Sequence, residues 1–573
     1  MRFQCMQISL LVACGALCSL SQTAIGPANN TPNSPENGPT FHATSRLVLV
    51  DIVVTGKHGE FIRELKPTDF TVLENGKPQK IAGFSAHTAS EASDTAAQDL
   101  QLPLNVYSNF TKLEPGHPIT IVLLDMLNTQ YLERAYARQQ MLKFLSSMPD
   151  GQPIALFALG SRLRMLQGFT QTSDALIVAA KRIIDKDENA HLQTSEQELS
   201  DAAAMDTMLA TYAGRSPADS ISIAGALSDE QVAQTDVRVF STLRSLQALA
   251  TMVAGYGGRK NLIWLSADFP ITFGPGFDLA FTAAPGGRPG ANSNLYVEDL
   301  HKTSSMLASS QIAVYPISVR GLSTEGPGAP DMGAAAGVAQ QTLARWNTET
   351  TMDDIARETG GEAFYNQNDL RRLMMRSLDE GTNYYTLAYV PQDPNWDARY
   401  RKIELKVAVD GVKLQYRNGY YATPTKATNQ NDAAHLLAAA MQPAVPESTS
   451  LLFKVQVLPP AADRKSVSID FAVSPSNLTL VDSPDQRKNA TVDFMAVALD
   501  KNLKESGIAS NTVAAAMRPE TYQQVLKTGF PGHLDLEVKP GKYLLRLGVI
   551  DRNSEKIGTL DVPLDVSNQA AQK

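Results

Sequence analysis

A short apolar run that ends in a carboxylate constrains the fold of this chain more than any other stretch. Residues Ile119 to Leu124 are apolar except for one threonine, and Asp125 follows directly. A run this apolar and this short, preceded by Pro118, is typical of a strand buried on both faces. Residues 130–147 then carry a helical pattern. The carboxylate therefore lies where a buried strand meets a helix, which is the edge where open α/β sheets bind ligands.

Further buried runs alternate with helical stretches along the chain. The strand patterns cover residues 153–159, 163–169, 261–265 and 312–319, and the helical patterns cover 173–184, 229–254, 295–309, 350–359 and 368–380. Strands and helices that alternate at this spacing predict a mostly parallel sheet with helices on both faces. The turn at Gly160-Ser161 is too short for a parallel crossover and requires one antiparallel pair. We therefore predict a Rossmann-like, mostly parallel sheet with one antiparallel edge.

Sequence typical of β structure flanks this α/β segment on both sides. Residues 45–90 contain short alternating strands and the hairpin signal Asn75-Gly76. Residues 382–422 contain strands at 384–390, 401–409 and 412–417, and Asp410-Gly411 predicts a hairpin between the last two. Each flank is too short to be stable alone. We expect the flanks to pack together as one β-sandwich into which the α/β segment is inserted.

The remaining segments complete the expected domain plan. Residues 450–567 alternate apolar and polar positions between regular turns, which predicts a second antiparallel sandwich of immunoglobulin-like architecture. Two linkers are expected at 25–44 and 423–449, the second with a short helix around 433–441. Polar or Gly-, Pro- and Ala-rich composition predicts insertions in the α/β segment, at 186–228, 273–293 and 321–345.

The N-terminal segment, residues 1–24, predicts a secretory signal peptide. Its apolar stretch, Ile8 to Leu20, is shorter than the roughly 20 apolar residues of a spanning helix, and cleavage is expected after Ser21 or Ala24. We expect a protein that is secreted or held in the bacterial cell envelope, in the periplasm or at the outer membrane.

A second processing route is open at the same segment. The tetrapeptide LVAC that ends at Cys14 resembles a lipoprotein box, in which Cys14 would carry a lipid anchor. The other cysteines, Cys5 and Cys18, also lie in this segment. The mature chain therefore has no disulfide framework and no thiolate metal site.

Composition excludes two further classes. A formal net charge of −8 without a basic stripe argues against a nucleic-acid binder. No segment after the N-terminal one is apolar enough over sufficient length to form a transmembrane helix.

A hydrophobic content of 43% with 19% charged residues is typical of globular domains, so large cores can form.

Several short motifs, in order and spacing, resemble one known family. They are Asp69–Ile81 (DFTVLENGKPQKI), Asp125–Thr129 (DMLNT), Gly258–Ser266 (GRKNLIWLS), Glu358–Gly361 (ETGG) and Asn418–Tyr421 (NGYY). With these motifs the chain resembles the VWFA-related secreted proteins of acidobacteria, which contain a von Willebrand factor type A domain. The resemblance spans residues 45 to 422. It implies a type A domain at 117–381, flanked by β structure.

The resemblance also implies a metal-ion-dependent adhesion site. Such sites use Asp-x-Ser-x-Ser after the first strand, with a Thr and an Asp from later loops, so that Mg²⁺ keeps one position for a partner carboxylate. In this chain Asp125 keeps the carboxylate, Thr129 can supply the second hydroxyl, and Leu127 replaces the first serine and cannot ligate. Ala267 occupies the position of the later Asp, and Asp268 lies one residue beyond it.

Two interpretations of this site remain open. In the first, Asp125, Thr129 and Asp268, with the amide oxygen of Asn128, bind Mg²⁺, or Ca²⁺ or Mn²⁺, in a degenerate adhesion site. In the second, Asp125 caps the following helix, and Asn128 and Thr129 tie the loop through local hydrogen bonds.

No catalytic motif is present. The sequence contains no Gly-x-Ser-x-Gly elbow, no His-Glu-x-x-His and no phosphate-binding glycine loop, and its 8 histidines lack ligand spacing. Gly360-Gly361 predicts a helix C-cap, and Trp264 predicts a core residue. We expect a non-enzymatic protein of one of two classes. The first is an exported adhesion module that contacts a protein or a glycan, and the second is a structural or assembly protein of the cell envelope with a vestigial metal site.

Overall fold

The computed structural model describes residues 47–88, 102–109, 118–129, 131–149, 151–182, 236–267, 293–321, 349–422, 430–443, 445–461 and 465–566. The predicted signal peptide and first linker, residues 1–44, lie outside these ranges, as do the insertions predicted at 186–228 and most of those at 273–293 and 321–345.

The strands are numbered in chain order. They are β1 (Val48–Thr55), β2 (Phe70–Glu74), β3 (Lys77–Gln79), β4 (Ile81–His87), β5 (Val106–Ser108), β6 (Ile119–Asp125), β7 (Ile154–Leu159), β8 (Leu163–Thr170), β9 (Lys260–Ser266), β10 (Ile312–Ser318), β11 (Tyr384–Tyr389), β12 (Tyr400–Val407), β13 (Lys413–Gln415), β14 (Gly419–Tyr421), β15 (Phe453–Leu458), β16 (Val467–Val473), β17 (Val481–Asp482), β18 (Lys488–Leu499), β19 (Glu505–Met517), β20 (Phe530–Leu536), β21 (Gly541–Asp551) and β22 (Ile557–Val566).

The α-helices are numbered in the same way. They are α1 (Tyr131–Leu145), α2 (Ser173–Lys181), α3 (described over 236–253), α4 (Ser293–Ser309), α5 (described over 349–359), α6 (Leu370–Thr382), α7 (Gln430–Ala440) and α8 (Pro519–Thr528). Among the described residues, no helix combines the length and the apolar character needed to cross a membrane.

The α/β segment is built on a five-stranded sheet of order β10-β9-β6-β7-β8. Strand β6 runs parallel to β7 and β9, β9 runs parallel to β10, and β8 runs antiparallel to β7. The predicted parallel sheet with one antiparallel edge is therefore confirmed. The chain leaves β6 towards β7 and returns later to β9 on the other side, so the strand order reverses between β6 and β9. Crevices that bind ligands open at such reversals, beyond the carboxyl ends of the strands.

Two hydrophobic cores cover the two faces of this sheet. Val122 and Leu124 of β6 face one core with side chains of α1, α2 and α6. Ile121 and Leu123 face the other core with side chains of α3, α4 and α5. Because successive side chains of a strand point to opposite faces, an uninterrupted apolar strand is what a sheet with two covered faces requires.

The β flanks of the α/β segment form a first two-sheet unit. Its sheets have the orders β13-β1-β11-β4 and β14-β12-β2-β3, and both contribute side chains to one core. Strand β1 from before the α/β segment pairs antiparallel with β11 from after it, so that Val50 lies opposite Leu387. Backbone hydrogen bonds between these two strands therefore join the chain before the α/β segment to the chain after it.

One predicted hairpin of this unit is confirmed and another is wrong. Asn75 and Gly76 both have positive φ values, 48° and 77°, and join the antiparallel pair β2–β3. The residues around Asp410-Gly411, in contrast, do not join a hairpin, because β12 pairs with β2 and β14 whereas β13 pairs with β1. The chain crosses there from one sheet to the other, and the apolar side chains that follow pack into the shared core from the opposite layer.

A second two-sheet unit contains the C-terminal strands. Its sheets have the orders β20-β16-β15-β5 and β17-β18-β21-β22, with β19 paired to β18, and they share one core. Strand β5 precedes the α/β segment in sequence and still pairs with β15. Helix α7, within the predicted linker 423–449, packs through Leu437 on this unit. Strand β19 and helix α8 have no counterpart in the sequence prediction.

Candidate functional site

Asp125 ends β6 at the point where the strand order of the five-stranded sheet reverses. Its neighbour across the reversal is the end of β9, at Ser266 and Ala267. The side chain of Asp125 is fully buried. The carboxylate therefore points into the protein at this edge, and what it can do depends on the groups that surround it.

Each carboxylate oxygen of Asp125 is occupied by hydrogen-bond donors. Oδ2 accepts hydrogen bonds from Trp264 Nε1 at 3.1 Å, from Ser266 Oγ at 2.9 Å and from Asn128 Nδ2 at 2.9 Å. Oδ1 accepts from the backbone N–H groups of Leu127 at 3.0 Å and Asn128 at 2.9 Å. An ionised carboxylate has about four lone-pair positions, so these donors occupy its accepting capacity.

Burial and hydrogen bonding act on this carboxyl in opposite directions. Burial raises the pKa of Asp125 above its ordinary value, while the hydrogen bonds from Asn128, Ser266 and Trp264 oppose that rise. Four of the five partners can only donate, and the Ser266 hydroxyl alone could also accept a proton from the carboxyl.

Asn128 connects the carboxylate to helix α3. Its Nδ2 donates to Asp125 Oδ2 and also to Thr242 Oγ1, at 2.9 Å in each case. Thr242 in turn donates to the carbonyl of Arg238, one turn earlier in α3. The amide oxygen Oδ1 of Asn128 is buried without a hydrogen-bond partner. A single side chain thus joins the loop after β6 to the helix that covers one face of the sheet.

Thr129 is held in the same manner. Its Oγ1 accepts a hydrogen bond from the backbone N–H of Ala267 at 3.1 Å, and its carbonyl accepts one from Arg134 Nε at 2.7 Å. Leu127, between these polar residues, packs into the core shared with α3. The loop after β6 is consequently fixed to β9 by Thr129 and to α3 by Leu127 and Asn128.

The structure brings three of the four sequence-predicted ligands together, namely Asp125, Asn128 and Thr129. Asp268 lies outside the described residues. Within the described part of the chain, no cluster of three or more His, Cys, Asp and Glu side chains could hold a metal ion.

The arrangement of these side chains does not fit a divalent cation. Mg²⁺ requires about six oxygen ligands whose lone pairs converge on one point. Here the Asp125 oxygens face five N–H or O–H donors, and Thr129 Oγ1 accepts a backbone N–H. Of these oxygens only Asn128 Oδ1 lacks a partner. Among the described residues, Asp125, Asn128 and Thr129 by themselves therefore do not offer the oxygen ligands of a metal site.

The hydrogen-bond partners of Asp125 on β9 and α3 carry no local sequence signal that relates them to this carboxylate. Trp264 was predicted as a core residue, and it is fully buried, but its indole N–H requires an acceptor wherever it is buried. Ser266 ends a strand that the sequence predicts in the same parallel sheet as β6. This prediction is the signal that could have placed Ser266 near Asp125. Thr242 lies 114 positions from Asn128, and no local pattern relates them.

A small recess of about 10 Å³ lies at the same edge, beside Ala267, where β9 and β10 end. It is lined by Ser318, Arg320, Glu349 and Asn366, among others. Arg320 Nε lies 3.9 Å from Glu133 Oε1 and makes no hydrogen bond. The edge therefore presents polar and charged side chains around a well-anchored loop.

A larger cavity lies elsewhere and contains none of these residues. It measures about 920 Å³ and opens between the turn after β1 and helix α6. Its charged side chains have both signs, and Arg376 and Lys413 are paired with Glu362, while Arg376 is also paired with Glu380. Because side chains of both signs line it, the cavity does not indicate one class of ligand, and the sheet edge remains the better candidate.

Known proteins resemble this chain only remotely. No family model and no curated protein matches it. Among solved structures, an aerotolerance-related membrane protein from Bacteroides fragilis is 11% identical, with a TM-score of 0.24 over 46% of this chain and 98% of its own. A von Willebrand factor type A protein from Catenulispora acidiphila is 9% identical, with a TM-score of 0.21 over 79% and 67%. The ArnB paralog VWA2 from Sulfolobus acidocaldarius is 7% identical, with a TM-score of 0.20 over 91% and 75%. Likenesses of this size assign neither a family nor a function.

Proposed function

We propose that this chain is an exported, non-enzymatic binding protein with a type A domain that contacts a protein or a glycan through the carboxyl edge of the five-stranded sheet. The observation that carries the proposal is the strand reversal between β6 and β9, with the anchored Asp125–Thr129 loop at its mouth. A crevice at such a reversal is where open α/β sheets bind their ligands. The motifs that resemble VWFA-related secreted proteins support the same assignment.

The polar groups at this edge support binding rather than catalysis. Asp125 accepts a hydrogen bond from Asn128, Thr129 accepts one from the backbone of Ala267, and all three of these loop residues are almost completely buried. A nucleophile or a general base needs a side chain that can reach a substrate. We therefore assign recognition to the exposed rim of the edge and a supporting role to the buried loop, which makes the predicted adhesion site a degenerate one.

A structural or assembly role in the cell envelope is the second candidate. The observation that favours it is the tight attachment of the α/β segment to the second two-sheet unit. Ser448 and Ser450 donate hydrogen bonds to the carbonyl of Thr251 in α3, and Thr449 donates to that of Met252. In this case the two-sheet units make the contacts, and the sheet edge is vestigial.

Binding to cell-envelope fractions and to a glycan array distinguishes the two candidates. The probe is the full chain, in the presence and absence of a chelator. Arg320→Glu and Asn366→Arg alter the rim of the edge, and Ile508→Arg alters an exposed apolar side chain of β19 (55% exposed) as the matched surface control. We expect the two rim variants to lose binding and the β19 variant to retain it. Loss only in the β19 variant would assign binding to the second two-sheet unit instead.

A further inference from the structure

We infer that Asp125 is an internal clamp that takes the place of a metal ion, so that this edge of the sheet is organised by hydrogen bonds and needs no divalent cation. The inference concerns how the edge is built and does not rest on the proposed function. It is carried by the donors around the carboxylate.

The donors around Asp125 come from two separate parts of the chain. Leu127 and Asn128 donate from the loop after β6, and Trp264 and Ser266 donate from the neighbouring strand β9. Asn128 extends the connection to Thr242 of α3. One carboxylate therefore holds a loop, a strand and a helix at a single point, which is the organising role that a bound cation with several protein ligands would otherwise have.

A cation at Asp125 would leave buried hydrogen-bond donors without their acceptor. A metal ion on Oδ2 would have to displace donors that lie 2.9 to 3.1 Å away. The indole N–H of Trp264 could not turn to water, because the residue is fully buried between the strands β6 and β10. A buried donor without an acceptor is strongly unfavourable. A cation bound at Oδ2 and the hydrogen bond from Trp264 to that oxygen are therefore mutually exclusive.

The two loop positions that would supply hydroxyl ligands to a metal ion have other roles in this chain. The residue two places after Asp125 is Leu127, which is about 1% exposed and packs in the core with α3. Thr129, four places after Asp125, directs its hydroxyl oxygen at the backbone N–H of Ala267. The side chains of Leu127 and Thr129 therefore hold the loop in place and do not face a cation.

Metal titration tests the inference directly. The full chain is titrated with Mg²⁺, Mn²⁺ and Ca²⁺ at millimolar concentration against a chelator, and Tm and tryptophan emission are recorded. Trp264→Phe identifies the emission of Trp264. We expect no shift in Tm and no change in the Trp264 emission. A saturable rise in Tm that disappears in Asp125→Ala would overturn the inference.

A second measurement tests the clamp itself without any metal. We expect Asp125→Ala to lower Tm and to change the Trp264 emission, because the indole loses its acceptor. Ser266→Ala removes one of the donors and should give a smaller shift in the same direction, which keeps the test usable if Asp125→Ala does not fold. Asp174→Ala, at an exposed aspartate of α2, is the matched control. Values for Ser266→Ala equal to those of the control would contradict the clamp.

Discussion

The indole Nε1 of Trp264 donates a hydrogen bond to Oδ2 of Asp125 over 3.1 Å, between two adjacent parallel strands. Trp264 lies opposite Leu123 in the strand register, so its side chain reaches along β6 to the carboxylate at the strand end. The bond satisfies a buried indole and a buried carboxylate at once. The interior of the sheet and its candidate binding edge therefore depend on each other.

Asp125→Asn should lower the free energy of unfolding of the α/β segment by about 2–4 kcal/mol. If the amide oxygen keeps the backbone donors of Leu127 and Asn128, the amide nitrogen must face the donors of Trp264, Ser266 and Asn128. Urea unfolding followed by tryptophan fluorescence measures the change. Asp174→Asn removes an exposed carboxylate from the first turn of α2 and should cost less than about 1 kcal/mol. Equal effects of the two variants would refute the prediction.

A buried carboxylate also organises the first two-sheet unit. Glu74 of β2 is about 4% exposed and accepts hydrogen bonds from Tyr389 at 2.8 Å, from Tyr420 at 2.9 Å and from Arg401 at 3.4 Å. Burial raises the pKa of both tyrosines, and the hydrogen bond to Glu74 raises it further, so both hydroxyls stay protonated as donors.

Glu74→Ala should therefore destabilise the protein by about 3–5 kcal/mol, because it leaves both tyrosine hydroxyls without this acceptor and the buried Arg401 guanidinium with only the more exposed carboxylate of Asp393, 3.7 Å away. Glu404→Ala, on the exposed part of β12, should cost far less, because its pair with Lys402 is a surface ion pair that solvent screens. Chemical denaturation of both variants provides the comparison. A cost for Glu74→Ala as small as that for Glu404→Ala would show that this cluster does not stabilise the fold.

The motif Gly360-Gly361 allows the cost of a steric clash to be compared with the cost of backbone strain. Gly360 has a φ of 81°, and the N–H of Gly361 donates to the carbonyl of Ala356, which is the C-cap of α5 that the sequence predicted. A Cβ on Gly361 would lie 1.8 Å from the backbone oxygen of Val314.

Gly361→Ala should cost more than about 3 kcal/mol, because a clash with backbone can be relieved only by moving α5 away from β10. Gly59→Ala is the matched variant, since that glycine has a φ of 86° and no atom within 4 Å of the added Cβ. Its cost should be about 1–2 kcal/mol, from backbone strain alone. Thermal unfolding of both variants gives the order, and the reverse order would be inconsistent with this packing.

The parts of the fold that could be predicted from sequence are those with a strong local period. The apolar run of β6, the turn at Gly160-Ser161 and the Asn75-Gly76 hairpin each carry their own signal, and the structure contains all three. Strand β19 lacked such a signal, because it is largely exposed and rich in small residues. The sequence predicts a hairpin at Asp410-Gly411, where the chain crosses to the other sheet. A glycine with positive φ indicates a turn, but it does not indicate which strand the following residues pair with.

The candidate site was predictable in position but not in chemistry. Asp125 at the end of a buried strand could be located from the pattern of apolar residues alone. The direction in which its carboxylate points depends on Trp264, Ser266 and, through Asn128, on Thr242, which are more than 100 residues away in sequence. Only the pairing of β6 with β9 and the packing of α3 bring these donors to the carboxylate.

Thr449 should couple the unfolding of the α/β segment to that of the second two-sheet unit. Its Oγ1 donates to the carbonyl of Met252 and accepts from the N–H of Gly255, at the C-terminal end of α3. Thr449→Val removes both hydrogen bonds and should cost about 1–3 kcal/mol. Thr449→Ser keeps the hydroxyl and should cost less. Differential scanning calorimetry should show one transition that broadens or splits in Thr449→Val. Identical profiles for the two variants would disprove the coupling.

His533 should make the stability of the second two-sheet unit depend on pH. Its Nδ1 lies 2.7 Å from Asp470 Oδ1 and its Nε2 lies 3.2 Å from Asp535 Oδ2. The hydrogen bond with Asp470, aided by Asp535, raises the pKa of His533 above its ordinary value of 6.5. Because the folded-state pKa is the higher one, the stabilisation is fully present below about pH 6.5 and is lost as the pH rises through the folded-state pKa.

We expect Tm measured from about pH 5 to about pH 9 to fall across that interval in the parent protein, and to fall less in His533→Gln, which cannot titrate. Asp470→Asn removes the principal partner and should move the NMR titration midpoint of His533 back towards its ordinary value. Since the imidazole is about half exposed, solvent screens the two carboxylates and the effect on Tm should be small. A titration midpoint of His533 that is the same in the parent protein and in Asp470→Asn would rule out this origin of the pH dependence.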